Sequence, residues 1–447
     1  MPPRQRPKYI MPQVNAAAAG ADVGSTEIYI AVSPDRSDTP VRHFGMFTQD
    51  LYEAAEWLQA CGVKTVAMES TGVYWIPFYQ VLEDHGMEVC LVNARHVKNV
   101  PGRKTDVSDC QWLQYLHAVG LLRASFRPPQ EVCAVRALTR HRDTLVKTAA
   151  GHIQHMQKAL TQMNLQLHNV ISDITGTTGI AIMDAILAGE RDTVKLAKFR
   201  DPRIQATEET VAKSLVGDYR LEFLFILRQA LAAYRHYQVL IDECDVQIQA
   251  LLRTFDARVD PIEKPLPPPR TKHRKLRGNN LRFDLRTEMY RVTGVDLTAV
   301  PGLQSPTVHR LFAEFGRDMS RFPTDKHFTS WLGLCPDNRI SGGRILSART
   351  RDVKNRAAEA LRLAALTLRH SRTALGDFYR RMRAKLGAPK AITATAHKLA
   401  RIVYHLLKTG QPYDESVLGR HNESHHRRAE ASLRRHAKTM GFAVVPL

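Results

Sequence analysis

Apolar runs long enough to cross a membrane are missing from this 447-residue chain, since none approaches the ~18 residues that a spanning helix needs. The first residues also lack the apolar core of a signal peptide. The six cysteines include no Cys-x-x-Cys pair, which argues against a zinc site and against a disulfide framework. We therefore expect a protein of the reducing cytoplasm with no membrane partner.

Acidic residues are fewer than basic residues. Lys and Arg total 64 against 44 Asp and Glu, which gives a net charge of +20 and a pI near 9.9. Such an excess indicates a polyanionic partner, with nucleic acid ahead of an anionic membrane surface. The length is sufficient for two or three domains, and a hydrophobic content of 44% is sufficient for folded cores.

Four acidic residues in the first quarter of the chain lie beside predicted secondary structure. Asp22 precedes the alternating stretch 27–32, which predicts a strand, and Glu69 follows the short apolar run 64–68, which predicts a second one. A third strand is predicted over 89–92. Asp106 and Asp109 are three residues apart in a predicted helix, so one helix face carries both. Strand ends hold the ligands of α/β folds, and carboxylates are ligands of Mg²⁺. The four acids together therefore fit a two-metal phosphodiester site.

Each acid also has a simpler interpretation when it is taken alone. Asp22 suits a turn, Glu69 a surface position, and Asp106 and Asp109 the first turn of a helix, where the dipole favours acids. The segment 22–26 also resembles the phosphate loop of actin-like ATPases and sugar kinases. Those folds need a second such loop, and the chain shows no convincing one.

The residues around the acids resemble a DEDD transposase of the insertion-sequence-110 family, in the subgroup with a long inter-domain region. The matching motifs occur in the family's order and are Glu69–Trp75, Asn93–Lys98 and Gly102–Asp109. The resemblance runs from about residue 19 to about residue 410. It implies a RuvC-like, RNase H-type α/β domain in which Mg²⁺, or Mn²⁺ in its place, is bound by Asp22, Glu69, Asp106 and Asp109. Arg103 and Lys104 would contact nucleic acid beside that site.

Apolar residues then recur at steps of three and four over 153–167 and 241–255, which predicts two long helices. Their apolar seams could pack together within one subunit or between subunits. The resemblance favours a coiled-coil element that forms a homo-oligomer, a dimer or a tetramer. Some basic residues of these helical segments form either a solvated face or a surface that binds a nucleic-acid backbone: Arg136, Arg140, Arg142 and Lys147.

Residues 261–280 hold five prolines and six Lys or Arg against one Glu, without apolar periodicity. This composition predicts a basic linker, which serves either a phosphate backbone or merely as a soluble tether. After it, a Pro301-Gly302 turn ahead of a predicted helix over 306–315 resembles a helix-hairpin-helix element. The usual second glycine of that element is absent.

Ser341 directly precedes two glycines, and such a backbone can approach a phosphate closely. Four arginines flank it and are candidates for nucleic-acid contacts: Arg339, Arg344, Arg349 and Arg351. A lone Ser-Gly-Gly is usually a plain turn. With residues 355–365, however, this stretch resembles the family's C-terminal transposase domain, which implies that Ser341 is the nucleophile. Ser347 is its nearest competitor.

The resemblance therefore implies an RNA-guided transposase, in which a bridge RNA selects donor and target DNA. Metal ions at the acidic site would help Ser341 attack a phosphodiester and form a covalent phosphoserine link. Its setting would be a prokaryotic cytoplasm, at the nucleoid when DNA is bound. Two alternatives are a RuvC-like nuclease or junction resolvase that acts by hydrolysis, and a nucleic-acid-binding scaffold without chemistry.

The predicted fold class is an α/β RNase H/RuvC-like domain, a long helical coiled-coil region and a mainly α-helical transposase domain. The predicted boundaries run as follows: a basic tail over 1–18, the catalytic domain over 19–130, the helical region over 131–260, the linker over 261–280, the transposase domain over 281–410, and a basic tail over 411–447. We expect the last segment to be flexible or to contact nucleic acid.

Overall fold

The computed structural model describes residues 11–70, 72–93, 106–269 and 278–445. The chain divides into two compact units, Met1–Arg127 and Pro128–Leu447. None of the helices in the described ranges combines the length and the apolar character needed to cross a bilayer.

The first unit is built on a five-stranded sheet in the order β3-β2-β1-β4-β5. In chain order its strands are β1 (Ala18–Val23), β2 (Glu27–Ala31), β3 (Val41–Gly45), β4 (Thr65–Glu69) and β5 (Glu88–Val92). The first three strands pair antiparallel, whereas β4 runs parallel to both β1 and β5. Its helices are α1 (Thr48–Ala60), α2 (Trp75–Asp84) and α3 (Asp106–Ala118). The result is a mixed α/β domain.

Both faces of this sheet are covered. On one face, side chains of β1 such as Ala19 and Ala21 pack with α1 and α2 in the main core of the unit. On the other face, Ala67 of β4 and Cys90 of β5 pack with Leu113 of α3. A strand that is buried on both sides carries small or apolar residues throughout instead of an apolar-polar alternation.

The strands predicted over 27–32, 64–68 and 89–92 are present as β2, β4 and β5. Strand β1 was not predicted, because three alanines and a glycine among its six residues are weak strand formers. Pairing on both sides, antiparallel to β2 and parallel to β4, holds this segment extended. Asp22 therefore lies near the end of a strand, and the expectation that it only precedes one is wrong.

The second unit contains two long helices at the predicted places, α4 (Gln130–Gln162) and α9 (Leu221–Arg253). The prediction over 153–167 runs too far, because α4 ends at Gln162 and Leu167 begins the next helix. The two long helices pack against each other in one chain, with Leu145 beside Ile241 and Met156 beside Leu227, so they run antiparallel. Between them in the chain come four short helices: α5 (Leu167–Val170), α6 (Thr177–Leu187), α7 (Thr193–Ala197) and α8 (Glu208–Ser214). The apolar seam is therefore at least partly used within the subunit, and pairing between subunits stays a prediction.

The rest of the unit is mainly helical: α10 (Leu285–Thr293), α11 (Ser305–Phe315), α12 (Asp325–Trp331), α13 (Arg356–Thr367), α14 (Ala374–Leu386), α15 (Ala388–Thr409) and α16 (Ser416–Thr439). Short 3₁₀ turns cover Leu297–Ala299 and Leu368–His370, and a hairpin consists of β6 (Arg339–Ser341) and β7 (Arg344–Ser347). The aromatic rings of Phe315, Phe322, Phe328 and Tyr404 form the centre of this region.

Three sequence predictions can be compared with this region. The helix predicted over 306–315 is confirmed as α11, which ends at Gly316 with a left-handed φ of 74°. Residues 270–277 of the predicted linker lie outside the described residues, and the described residues 254–269 contain no helix or strand. The basic tail includes α16, a helix that the sequence did not predict.

Candidate active site

Strand pairing places Asp22 and Glu69 side by side. In the parallel pair β1–β4, Ala21 lies opposite Met68. Asp22 and Glu69 are the next residues along their strands, so the two half-buried acids occupy the same end of neighbouring strands. This is the edge at which α/β sheets hold their ligands.

The two acids also share the sheet face that α3 covers. Residues two apart on a strand point to the same face. Ala67, two residues before Glu69, packs with α3. Gly20, two residues before Asp22, lies so close to α3 that a Cβ atom there would be 2.3 Å from the carbonyl oxygen of Cys110. Asp22 and Glu69 therefore belong to the helix side of the sheet.

Gly20 sets the position of the helix that carries the other two acids. A Cβ atom at this position would also lie 2.3 Å from the backbone nitrogen of Gln114, so only glycine allows this approach of strand and helix. Further along α3, the His117 imidazole Nε2 and the Thr65 hydroxyl are 2.9 Å apart. The sequence analysis missed Gly20, although a glycine inside a run of alanines is a signal for close backbone packing.

The charges of Asp22 and Asp109 converge on Cys110. Burial, followed by the negative charges of Asp22 and Asp109, raises the pKa of this thiol to about 12. The Cys110 thiol therefore stays protonated at neutral pH. Asp109 directly precedes Cys110, and Asp22 lies two residues beyond Gly20, which packs against the carbonyl of Cys110, so Asp22 and Asp109 belong to contacting parts of β1 and α3.

The remaining candidates near this site are only partly described. Asp106 is the first residue of α3, but its side chain, like all of Arg103 and Lys104, lies outside the described residues. Within the described ranges, no three His, Cys, Asp or Glu side chains are grouped closely enough to hold a metal ion. The described geometry thus places Asp22 beside Glu69 and packs β1 against the helix that carries Asp109, and it leaves the complete set of four untested.

Ser341 lies in the second unit, at the tip of the β6–β7 hairpin. It pairs with Arg344 across Gly342 and Gly343, whose φ angles are 54° and 73°. Two successive residues with positive φ define the type I′ turn, which suits a two-residue hairpin loop and explains why both positions are glycine. Ser341 and the two glycines are exposed, so the hydroxyl is accessible to a large substrate.

The four flanking arginines differ in what they contact. Arg339, Arg344 and Arg349 are exposed along the hairpin. Arg351 is also largely exposed, but its guanidinium donates hydrogen bonds to the carbonyl and the hydroxyl of Ser330 at the end of α12. Arg351 therefore supports the base of the hairpin, near which Arg349 also lies, whereas Arg339 and Arg344 belong to the two strands that lead to the tip. The competitor Ser347 lies at the base, where its hydroxyl accepts from the Arg349 backbone N–H at 3.3 Å.

Three basic residues of α4 contact protein groups. Arg136 donates to the carbonyl oxygen of Glu314, and Arg140 donates to the Glu314 carboxylate at 2.7 Å. Arg142 is buried and pairs with the buried Asp245 of α9.

The interpretation of the basic residues of α4 as a solvated or nucleic-acid-binding face is wrong for the buried Arg142, and Arg136 is largely occupied by contacts with α11. Arg140 stays 44% exposed beside its partner and Lys147 is exposed, so the interpretation of these two stays a prediction. The acidic partners of Arg140 and Arg142 are too far away in sequence to be recognised beforehand.

The sheet order, with an antiparallel meander beside parallel strands and acids at the strand ends, is consistent with an RNase H-like DEDD domain. Residues 19–165 match the family model of the DEDD transposases of the IS110 type. Residues 296–380 match that of the transposase IS116/IS110/IS902 family. Together the matches cover just over half of the chain, which belongs to this family and is a DNA transposase. No curated protein matches the chain.

The matches confirm the resemblance to the family that the sequence indicates, and the subgroup with a long inter-domain region stays a prediction. The DEDD domain implies dependence on a divalent metal, and the family implies DNA as the substrate. Both matched segments contain residues singled out above. The first contains all four acids, and the second contains Ser341 and its hairpin.

Proposed function

We propose that this transposase is an RNA-guided recombinase that cuts and rejoins DNA through a covalent link to Ser341. The observation that carries the proposal is the exposed hairpin within the second matched segment, which presents the Ser341 hydroxyl beside Arg344 at its tip. The exposed Arg339 and Arg344 on the same hairpin add positive charge that suits a phosphate substrate. The hydrolytic nuclease is the second candidate, since the acids of the first unit suffice for that chemistry.

Asp22, Glu69, Asp106 and Asp109 are the proposed ligands of Mg²⁺, or of Mn²⁺ in its place. Asp22 and Glu69 at adjacent strand ends, with Asp109 on the helix that packs against β1, would supply the carboxylate oxygens that such a cation prefers. When bound, the cation would lower the pKa of an attacking hydroxyl and stabilise negative charge on the leaving oxygen. The chain itself contributes the positions of the carboxylates, which β1, β4 and α3 fix.

Ser341 supplies the nucleophile. Its oxygen forms a bond to the phosphorus while one phosphorus–oxygen bond of the DNA breaks, and the proton lost by Ser341 balances the proton taken up by the departing strand. Rejoining reverses these steps with a hydroxyl of another strand. A guanidinium such as that of Arg344 binds phosphate oxygens in a bidentate manner, which suits a group beside the nucleophile.

Guidance by a bridge RNA and assembly into a dimer or tetramer complete the proposal. The net charge of +20 gives the chain the capacity to bind RNA and DNA together. The acids belong to the first unit and Ser341 to the second, so both must reach the same phosphodiester, in one chain or across subunits.

The decisive test is a denaturing gel for a covalent protein–DNA adduct. The assay contains labelled DNA from the ends of the element, the flanking noncoding transcript and Mg²⁺. Parent protein should form an adduct that requires the transcript, Ser341→Ala should form none, and Ser347→Ala, changed in the same hairpin, should behave like the parent. Free cleaved DNA from both the parent and Ser341→Ala would instead identify a hydrolytic nuclease.

A mixing experiment tests where the two parts of the site come from. Asp22→Ala and Ser341→Ala chains are each expected to be inactive alone. If the site forms across subunits, the mixture regains part of the adduct. If it forms within one chain, the mixture stays as inactive as its components.

A further inference from the structure

The hairpin that carries Ser341 has a second side that the proposed chemistry does not use. Ser341 pairs with Arg344, and the preceding pair is Ile340 with Ile345. Neighbouring residues of a strand point to opposite faces. The two isoleucines therefore form a cross-strand pair on the side of the hairpin away from Ser341.

This apolar side is uncovered. Ile340 is 62% exposed and Ile345 is 60% exposed. The adjacent Leu346, which is the extra residue where the strand register shifts, is 70% exposed. Three large aliphatic side chains on an isolated two-stranded hairpin indicate a contact surface, because such a hairpin is marginally stable without a partner.

The charge around this surface indicates the kind of partner. Residues 336–356 contain six Lys or Arg against two Asp. The hairpin has only two strands, and its tip is open, because a Cβ atom at Gly342 or Gly343 would meet nothing within 4 Å. A narrow basic β-ribbon can enter a nucleic-acid groove, and aliphatic side chains can insert between base steps. A protein partner would have to cover the aliphatic side and neutralise the arginines as well, whereas DNA does both.

We propose that Ile340 and Ile345 press against the bases beside the phosphodiester that Ser341 attacks and unstack a base step there. This inference rests on the proposed function, because it takes DNA as the substrate of the hairpin. The opposite side of the hairpin, with Ser341 and Arg344, then faces the sugar-phosphate backbone. One element thereby opens the DNA locally and brings the nucleophile to it.

The test uses the full chain with Ser341→Ala, which keeps the DNA uncut, and DNA with 2-aminopurine at successive positions around the element junction. Binding should increase the fluorescence at the positions next to the crossover. In the same background, Ile340→Thr with Ile345→Thr keeps two β-branched residues and thus the strand propensity. We expect the increase to fall by about fivefold, because threonine does not offset the cost of unstacking a base step.

Ile262→Thr is the matched control, since Ile262 is 89% exposed but lies in the predicted linker segment. It should leave the fluorescence unchanged, and all three proteins should have the same melting temperature. An equal fluorescence increase with the threonine pair and with its parent would overturn the proposal. So would a loss of oligomer mass in the threonine pair before DNA is added, because the apolar side would then join two copies of the chain.

The readouts separate this inference from the proposed function. If unstacking depends on the isoleucines but the parent protein, which retains Ser341, forms no adduct, only the serine chemistry is refuted. If the parent protein forms an adduct but unstacking does not depend on the isoleucines, only the proposed role of Ile340 and Ile345 is refuted. No binding of junction DNA by any of the proteins would refute both.

Discussion

Asp22 and Glu69 stand at the ends of strands whose two faces are covered, whereas Ser341 stands at the tip of a hairpin that is exposed along its length. The acids are positioned by strand register and by the close contact of α3 with Gly20. The serine is positioned by a two-residue turn and the few cross-strand pairs behind it.

The difference matches the tasks proposed for the two regions. Metal ligands must hold a fixed geometry, and a sheet covered on both sides resists displacement. A nucleophile that must reach a large substrate benefits from a thin, accessible element of low local stability.

The largest effect is expected at the acidic site. Glu69→Gln removes one negative charge from the end of β4 and should lower DNA cleavage by at least about 100-fold, the usual scale for loss of an electrostatic group in an active site. Mn²⁺ binding, followed by calorimetry, should weaken in parallel. The matched control is Glu88→Gln, because Glu88 is exposed and pairs with Thr65 at the opposite end of the same sheet. Weaker Mn²⁺ binding in Glu88→Gln but not in Glu69→Gln would contradict the assignment.

The second prediction concerns the helical body that carries the hairpin. His309 of α11 is fully buried, and its Nε2 has no hydrogen-bond partner among the described residues. Burial, followed by the charges of Arg142 and Arg310, lowers the pKa of His309 from near 6.5 to about 4. The unfolded chain therefore binds more protons than the folded one between these values, and stability falls as pH falls.

Acidification from pH 7 to pH 4 should cost on the order of 3 kcal/mol through this one group. Urea unfolding of the parent and of His309→Leu, measured at pH 7 and pH 5, checks this. The variant should lose much of the pH dependence, while His141→Asn, at an exposed position of α4, should keep all of it. Equal pH dependence in all three proteins would show that His309 is not the sensitive group.

The sequence predicted more of the elements than of their arrangement. Periodicity found β2, β4, β5, α4, α9 and α11, because each carries a regular apolar pattern. It missed β1, whose small residues are held extended by two neighbouring strands, and it missed α16, which has few apolar residues. Pairing with two neighbouring strands, one of them more than forty residues further along the chain, decided the case of β1.

The candidate site shows the same limit. The four acids and Ser341 were identified from motifs. The sequence around each of them did not show that Asp22 lies beside Glu69, or that Gly20 allows the close approach of α3. These depend on the register of two strands that are more than forty residues apart in the sequence. Likewise, Arg142 was assigned to the surface because its partner Asp245 lies on another helix.

The third prediction tests the support of the acidic site. Gly20→Ala places a Cβ atom against the backbone of α3 and should destabilise the first unit by about 1–3 kcal/mol. Urea unfolding measures this loss. Gly151→Ala is the control, since a Cβ atom there would meet nothing within 4 Å in the middle of α4, and alanine should stabilise that helix by up to about 1 kcal/mol. Equal effects of the two substitutions would mean that the close approach of strand and helix does not limit stability.

The smallest effect on global stability is expected at the hairpin, where substitutions in the turn change only the position of Ser341. Gly342 has a φ of 54°, a conformation that asparagine tolerates and valine resists. Gly342→Asn creates an Asn-Gly turn, which favours type I′, and should keep adduct formation. Gly342→Val costs about 1–2 kcal/mol at the turn and should slow adduct formation by about 5–30-fold.

Neither variant should change the melting temperature, because the hairpin buries little of the core. If valine instead lowered the melting temperature while adduct formation stayed at the parent rate, the hairpin would be a structural element, and the contrast with the acidic site would no longer hold.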